Sequence, residues 1–350
     1  MRIFTKTGVA VTALITGLGL VGCSSPESPA SDQVISVVAS TNVYGNIAEL
    51  VGGDLIEVIS IIDDPAQDPH SFEADARVQL TLSKADIVIE NGGGYDAFVD
   101  QLLSSLDDSD RIVLSAVELS PLDLETEDDH ADEDDHADED DHADEDDHAD
   151  EDDHADHDHA DEDHADEDDH ADHDHAAFNE HVWYDFATVA AVATAIRDAL
   201  TTIDSQNEQQ YKDNTTALLD GLDGLEERAS SMRPATELGI AVTEPVALYL
   251  LEAVGLHNET PAAFSEAIEE GSEVSAATLN DTLHLFEHGE ASILVYNDQT
   301  TSPETEALKS AAEEVGAPIV SVTELLPNGA DYLTWMHGIL DELESAMALA

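Results

Sequence analysis

The chain has 350 residues, with 81 Asp or Glu against 10 Lys or Arg and a formal charge of −71. That length suffices for two domains with full cores. A chain without a basic patch is excluded as a partner for nucleic acid or for anionic lipid surfaces, and a single cysteine, Cys23, excludes an internal disulfide.

Residues 1–22 have the layout of a secretory signal. Arg2 and Lys6 precede an apolar run from Val9 to Val21, which is too short for a permanent membrane helix. Leu20-Val21-Gly22-Cys23 and the Ser/Pro-rich residues that follow read as a lipobox and a tether over 23–33, with Cys23 acylated. The expected location is the extracytoplasmic face of the cell membrane, lipid-anchored.

From Val34 the pattern becomes βαβα. β-Branched runs at 34–39, 56–62, 86–89 and 111–114 alternate with helical stretches at 46–51, 75–83 and 95–106. This rhythm predicts a parallel sheet with helices on both faces. Asn91-Gly92-Gly93-Gly94 lacks the Gly-x-Gly-x-x-Gly spacing of a nucleotide loop and reads as a turn.

Residues 123–176 are of another kind. The unit His-Ala-Asp-Glu-Asp-Asp begins at His130 and recurs at His136, His142 and His148, then degrades through His154, His157, His159, His164, His170, His173 and His175. After Leu124 no apolar residue larger than Ala occurs there, so the segment cannot bury a core and is expected to be a solvated, disordered insertion. Dense imidazoles and carboxylates suit a weak, multi-site collector of divalent metal, and no spacing in it fixes one closed site.

Order is expected again from Phe178. Helices are predicted over 186–203 and, long enough to link two lobes, over 208–232. A second βα series follows: strands at 240–242, 293–296 and 318–320, and helices at 246–254, 274–288, 304–315 and 332–347. The predicted architecture is α/β: two Rossmann-like lobes with central parallel sheets, 34–204 and 234–350, joined by one long rigid helix over 205–233.

Ligands of open α/β sheets bind beyond the carboxyl ends of the strands. Four places there carry candidate metal ligands: Asp68-Pro69-His70, Glu180-His181-Val182-Trp183, Thr243-Glu244-Pro245 and Asn297-Asp298-Gln299. Together with Ala39-Ser40-Thr41-Asn42 and Ala85-Asp86-Ile87-Val88 followed by Asn91-Gly92-Gly93, these segments resemble the cluster A-I metal receptors of zinc and manganese ABC importers. The resemblance runs from Val34 to the C-terminus, and many zinc-type members carry a His- and acid-rich loop where this chain does.

The resemblance implies one metal site in the interlobe cleft, held by His70, His181, Glu244 and Asp298. The motif around Asp298 departs from the family's usual Phe-x-Glu form, and Asn297, Thr301 or a water are the alternatives for that place. Two neutral imidazoles and two carboxylates would cancel the charge of a dication. The implied cargo is Zn2+, with Mn2+ the alternative that Glu244 raises. The implied partners are an ABC permease and its ATPase, with the receptor monomeric. A surface metal buffer or adhesin acting through the His/Asp loop is a further alternative. No nucleophile or phosphate-loop motif points to an enzyme. His284 and His288, four apart on a predicted helix, read as surface residues.

Overall fold

A computed structural model describes residues 34–64, 67, 69–70, 72–106, 111–122 and 179–350. Cys23, Asp68 and all the histidines from His130 to His175 lie outside the described residues.

Two four-stranded parallel sheets form, each wrapped by helices. In the first, β1 (Ile35–Thr41), β2 (Ile56–Ile62), β3 (Ile87–Glu90) and β4 (Ile112–Ser115) lie in the order β2-β1-β3-β4. The strands pair in parallel, Val37 opposite both Val58 and Ile87. The helices between them are α1 (Asn42–Gly52), α2 (Ala76–Leu82) and α3 (Phe98–Leu103), with α4 (Ala116–Leu119) after β4. Strands covered on both faces read as unbroken apolar runs, and Val37, Val38, Ala39, Ile87, Val88 and Ile89 are all fully buried.

Two long helices follow, α5 (Phe186–Ile203) and α6 (Glu208–Ser231). The Asp185 carboxylate caps α5 by accepting from Thr188 N at 2.7 Å. Along α6, Leu218, Leu222, Leu225 and Ala229 form one buried stripe, and each buried leucine contributes about 2 kcal/mol of hydrophobic free energy. The second sheet has the order β6-β5-β7-β8, from β5 (Gly239–Val242), β6 (His257–Asn258), β7 (Ile293–Asn297) and β8 (Ile319–Val322). Its helices are α7 (Leu248–Val254), α8 (Ala262–Glu269), α9 (Ala276–His288), α10 (Pro303–Val315) and α11 (Tyr332–Met347).

The two parallel-sheet lobes and the long helix are as the sequence predicts. Two helices differ. α1 begins at Asn42, directly at the end of β1, rather than at Asn46, because Val43 and Tyr44 are buried and already belong to its packed face. The sequence reading assigned nothing between Gly255 and Glu273, where the structure has β6 and α8.

One core cluster runs through both lobes, from Val37 and Ile47 through Leu222 and Leu225 to Val242, Trp335 and Leu340. Polar ties reinforce it. Asn42 Nδ2 donates to Leu326 O and its Oδ1 accepts from Leu326 N, both at 2.9 Å. Tyr184 Oη donates to Thr323 O at 2.7 Å, and Tyr332 Oη to Trp183 O at 2.6 Å. The carboxyl ends of the two sheets are thus held close together.

Candidate metal site between the strand ends

His181 is the most constrained of the candidates. It is 1% exposed and opens a single 3-10 turn over Val182–Tyr184. Asn179 Nδ2 donates to Pro245 O at 2.9 Å, which leaves its Oδ1 as an acceptor. That oxygen accepts from His181 N at 3.1 Å and stands 2.7 Å from His181 Nδ1. Nδ1 therefore carries the proton, and the lone pair sits on Nε2. This is the arrangement by which a second group sets the tautomer of a metal-binding imidazole. Burial, with His70 nearby, holds His181 well below the ordinary imidazole range, so the ring is neutral. Nε2 is buried and, among the described residues, makes no hydrogen bond.

His70 comes from the loop after β2. Its ring lies edge-on to Tyr95, with centroids 4.8 Å apart, and 5.8 Å from the ring of His181. Its Nε2 is 3.9 Å from Glu324 Oε2 and from Glu269 Oε1, and its Nδ1 is 4.0 Å from Glu180 Oε1.

Glu244, just past β5, is 5% exposed. Asn297, the last residue of β7, donates through Nδ2 to Glu244 Oε2 and to Glu324 Oε1. One amide thereby holds two buried carboxylates, and Tyr95 Oη donates to the other oxygen of Glu324 at 3.1 Å.

Asp298 is not brought to this cluster. Successive residues of a strand face opposite ways. Asn297 is turned inward at 1% exposure, and Asp298, one residue on, is exposed. A carboxylate that does face the histidines is Glu324, two residues beyond β8 and 3% exposed. Ligand atoms of His70, His181 and Glu324 lie within 4.8 Å of one another, as do those of His70, Glu180 and Glu269. Both Glu324 and Glu269 escaped the sequence reading. Glu324 was legible from the rule that already singled out Glu244, a carboxylate just beyond a strand. Glu269 required recognition of α8.

The site is strongly anionic. Burial, then the carboxylates of Glu180, Glu244, Glu324 and Glu270, pushes Glu269 up to about 9. Four glutamates around two imidazoles form a cage of N and O donors suited to a divalent transition metal. His284 and His288 lie elsewhere, stacked at 5.4 Å on α9 with side chains 40% and 61% exposed, as expected for surface residues.

The sequence model of the family described as zinc-uptake complex component A, periplasmic (ZnuA) matches residues 37–346. The chain belongs to this family. It is similar to the metal ABC transporter substrate-binding lipoprotein of Lactococcus lactis, 23% identical over 361 residues, covering 98% of this chain and 96% of that protein. It is 34% identical over 89 residues to the manganese ABC transporter substrate-binding lipoprotein scaA of Streptococcus gordonii, covering 25% of this chain and 28% of the relative. Several such matches span half or less of the curated relatives' own length, from 28 to 50%. Among solved structures, the periplasmic zinc-binding protein TroA of Treponema pallidum superposes with a TM-score of 0.66 at 16% identity, over 90% of this chain and 99% of that one, a likeness of fold. This ZnuA-family chain thus shares its fold with a zinc-binding protein and matches a manganese receptor over a quarter of its sequence.

Proposed function

We propose that the protein is the extracytoplasmic receptor of an ABC importer, which captures one divalent transition metal in the cleft and hands it to a permease driven by its ATPase. His70, His181, Glu244 and Glu324 are the four ligands of this reading, with Glu324 in the place first given to Asp298. The observation that carries it is His181 Nε2, a buried lone pair that makes no hydrogen bond among the described residues and faces a cluster of carboxylates. A buried polar atom left in that state needs a partner, and a metal ion supplies one. Four protein donors also close a tetrahedral site, which suits a carrier rather than a hydrolytic zinc enzyme with an open water position.

Zinc is the first cargo, on the imidazole pair, the His-rich stretch and the family's own description. Manganese is the second, on the carboxylates, which suit that harder ion. Cys23 anchors the receptor by acylation, residues 24–33 tether it, and His130 to His175 collect zinc at low affinity. The protein acts as a monomer.

Metal stoichiometry and competition affinity, measured with and without residues 125–176, test this reading. One tightly held ion is expected in both forms, with additional weak sites only in the full chain. A truncated form that folds but holds no metal would make the loop the centre of the function. Preference for Mn2+ over Zn2+ in the truncated form would transfer the cargo to manganese and leave the cleft mechanism standing.

A further inference from the structure

Four donors do not exhaust the cleft. Glu269 Oε1 is 3.5 Å from His181 Nε2 and 3.9 Å from His70 Nε2, and so faces both imidazole nitrogens. That oxygen is buried and, among the described residues, makes no hydrogen bond, as is true of His181 Nε2 opposite it. The tautomer fixed by Asn179 leaves the Nε2 lone pair facing the Glu269 carboxyl, so a nitrogen and an oxygen ligand atom border one space that an ion can enter as the carboxyl gives up its proton. Two donors that share one five-coordinate ion at about 2.1 Å each, at angles of about 90–120°, stand roughly 3.0–3.6 Å apart. The observed 3.5 Å falls in that range.

The placement of Glu269 has no other evident purpose. It is the last residue of α8, where the helix dipole opposes a negative charge. Glu180, Glu244 and Glu324 surround it. The arginine and lysine ion pairs lie elsewhere, Arg197 with Asp198, Lys212 with Glu208, and Arg228 with Asp341 and Glu344. Phe264 and Ile268 of the same helix are buried in the core of the second lobe, which makes α8 a rigid mount.

We infer that Glu269 is itself a metal ligand, a third carboxylate that raises the site to five protein donors and fits it to ions that accept five or six nitrogen and oxygen ligands. The inference rests on the cleft-receptor reading above. Its consequence is selectivity: Mn2+ uses the added oxygen, whereas Zn2+ is already satisfied by four donors.

The test uses the full chain with Glu269→Gln, and Glu270→Gln as the exposed neighbour that loses the same charge. The first equivalent of Co2+ is expected to give the weak visible bands of a five-coordinate ion in the wild type and in Glu270→Gln, and the intense bands of a four-coordinate ion in Glu269→Gln. Mn2+ affinity is expected to fall about tenfold or more in Glu269→Gln, with Zn2+ affinity changing less than about threefold. An unchanged cobalt spectrum in Glu269→Gln overturns the inference. So does an equal loss of Mn2+ and Zn2+ affinity, which would mean that Glu269 acts through charge alone. His181→Ala separates the two levels. If that variant still takes the first equivalent at full affinity, the cleft reading itself fails. If it loses the ion while Glu269→Gln matches the wild type, only the fifth ligand fails.

Discussion

Replacing His181 with alanine is expected to weaken binding of the tightly held metal by about 10²- to 10³-fold. Sites built from four protein ligands hold zinc with about 10–16 kcal/mol, so one ligand accounts for roughly 3–4 kcal/mol. The ring also fills space, edge-on to Trp183 at 5.1 Å and near Tyr95 at 5.7 Å. Its removal is therefore expected to cost about 2–4 kcal/mol of stability as well. Thermal melting of the metal-free protein measures that cost independently, and His181→Gln keeps most of the volume while removing the imidazole. Binding by a folded His181→Gln protein at wild-type affinity would remove His181 from the ligand set. A milder substitution isolates the positioning effect. Asn179→Ala leaves the ring but frees its tautomer, and should reduce affinity about 10- to 100-fold without abolishing it.

The lobes were legible because parallel strands buried on both faces leave continuous apolar runs such as Ile293 to Tyr296, whatever the helices around them do. His70 and His181 were legible because each sits in a short motif, Pro69-His70 or His181-Val182-Trp183, whose neighbours are also buried: Trp183 is 1% exposed. The carboxylate beside these histidines was sought at Asp298 instead of Glu324, and the reason is parity. At a strand end one residue decides which way a side chain faces, and Asn297 and Asp298 are one residue apart. The strand that ends nearest Glu324 runs to Val322, two residues past the stretch recognised in the sequence, so the carboxylate beyond it went unread. α8 was missed for a different reason. It is eight residues long, with only Phe264, Ser265 and Ile268 buried, and so short an apolar pattern carries little weight alone. The proposed collector loop and lipid anchor rest on composition and motif alone, and their residues lie outside the described ones.

Glu90→Gln is expected to stabilise the protein, and to do so more as pH rises. Glu90 ends β3, is 6% exposed and pairs in register with Ser115 of β4. Burial, then Asp100, Asp96 and Glu118, pushes its carboxyl from 4.5 up to about 8. The sign follows from proton counting. Between pH 4.5 and about 8 the folded state holds a proton that the unfolded state has released, so wild-type stability falls across that window and levels off above it. Glutamine resembles the protonated form and titrates nowhere. The variant should therefore match the wild type near pH 4.5 and exceed it by about 2–5 kcal/mol above pH 8. Denaturant unfolding at pH 5 and pH 8.5 reads the difference directly, and a gain that is equal at both values would show that the carboxyl is not held protonated. The position bears on the metal site through the next residue. Asn91 donates through Nδ2 to Glu180 O at 3.0 Å and accepts from Tyr44 Oη, which fixes the segment that leads into His181. Glu90→Gln leaves these Asn91 hydrogen bonds in place, so the stability it gains should appear together with metal affinity that is undiminished at pH 8.5.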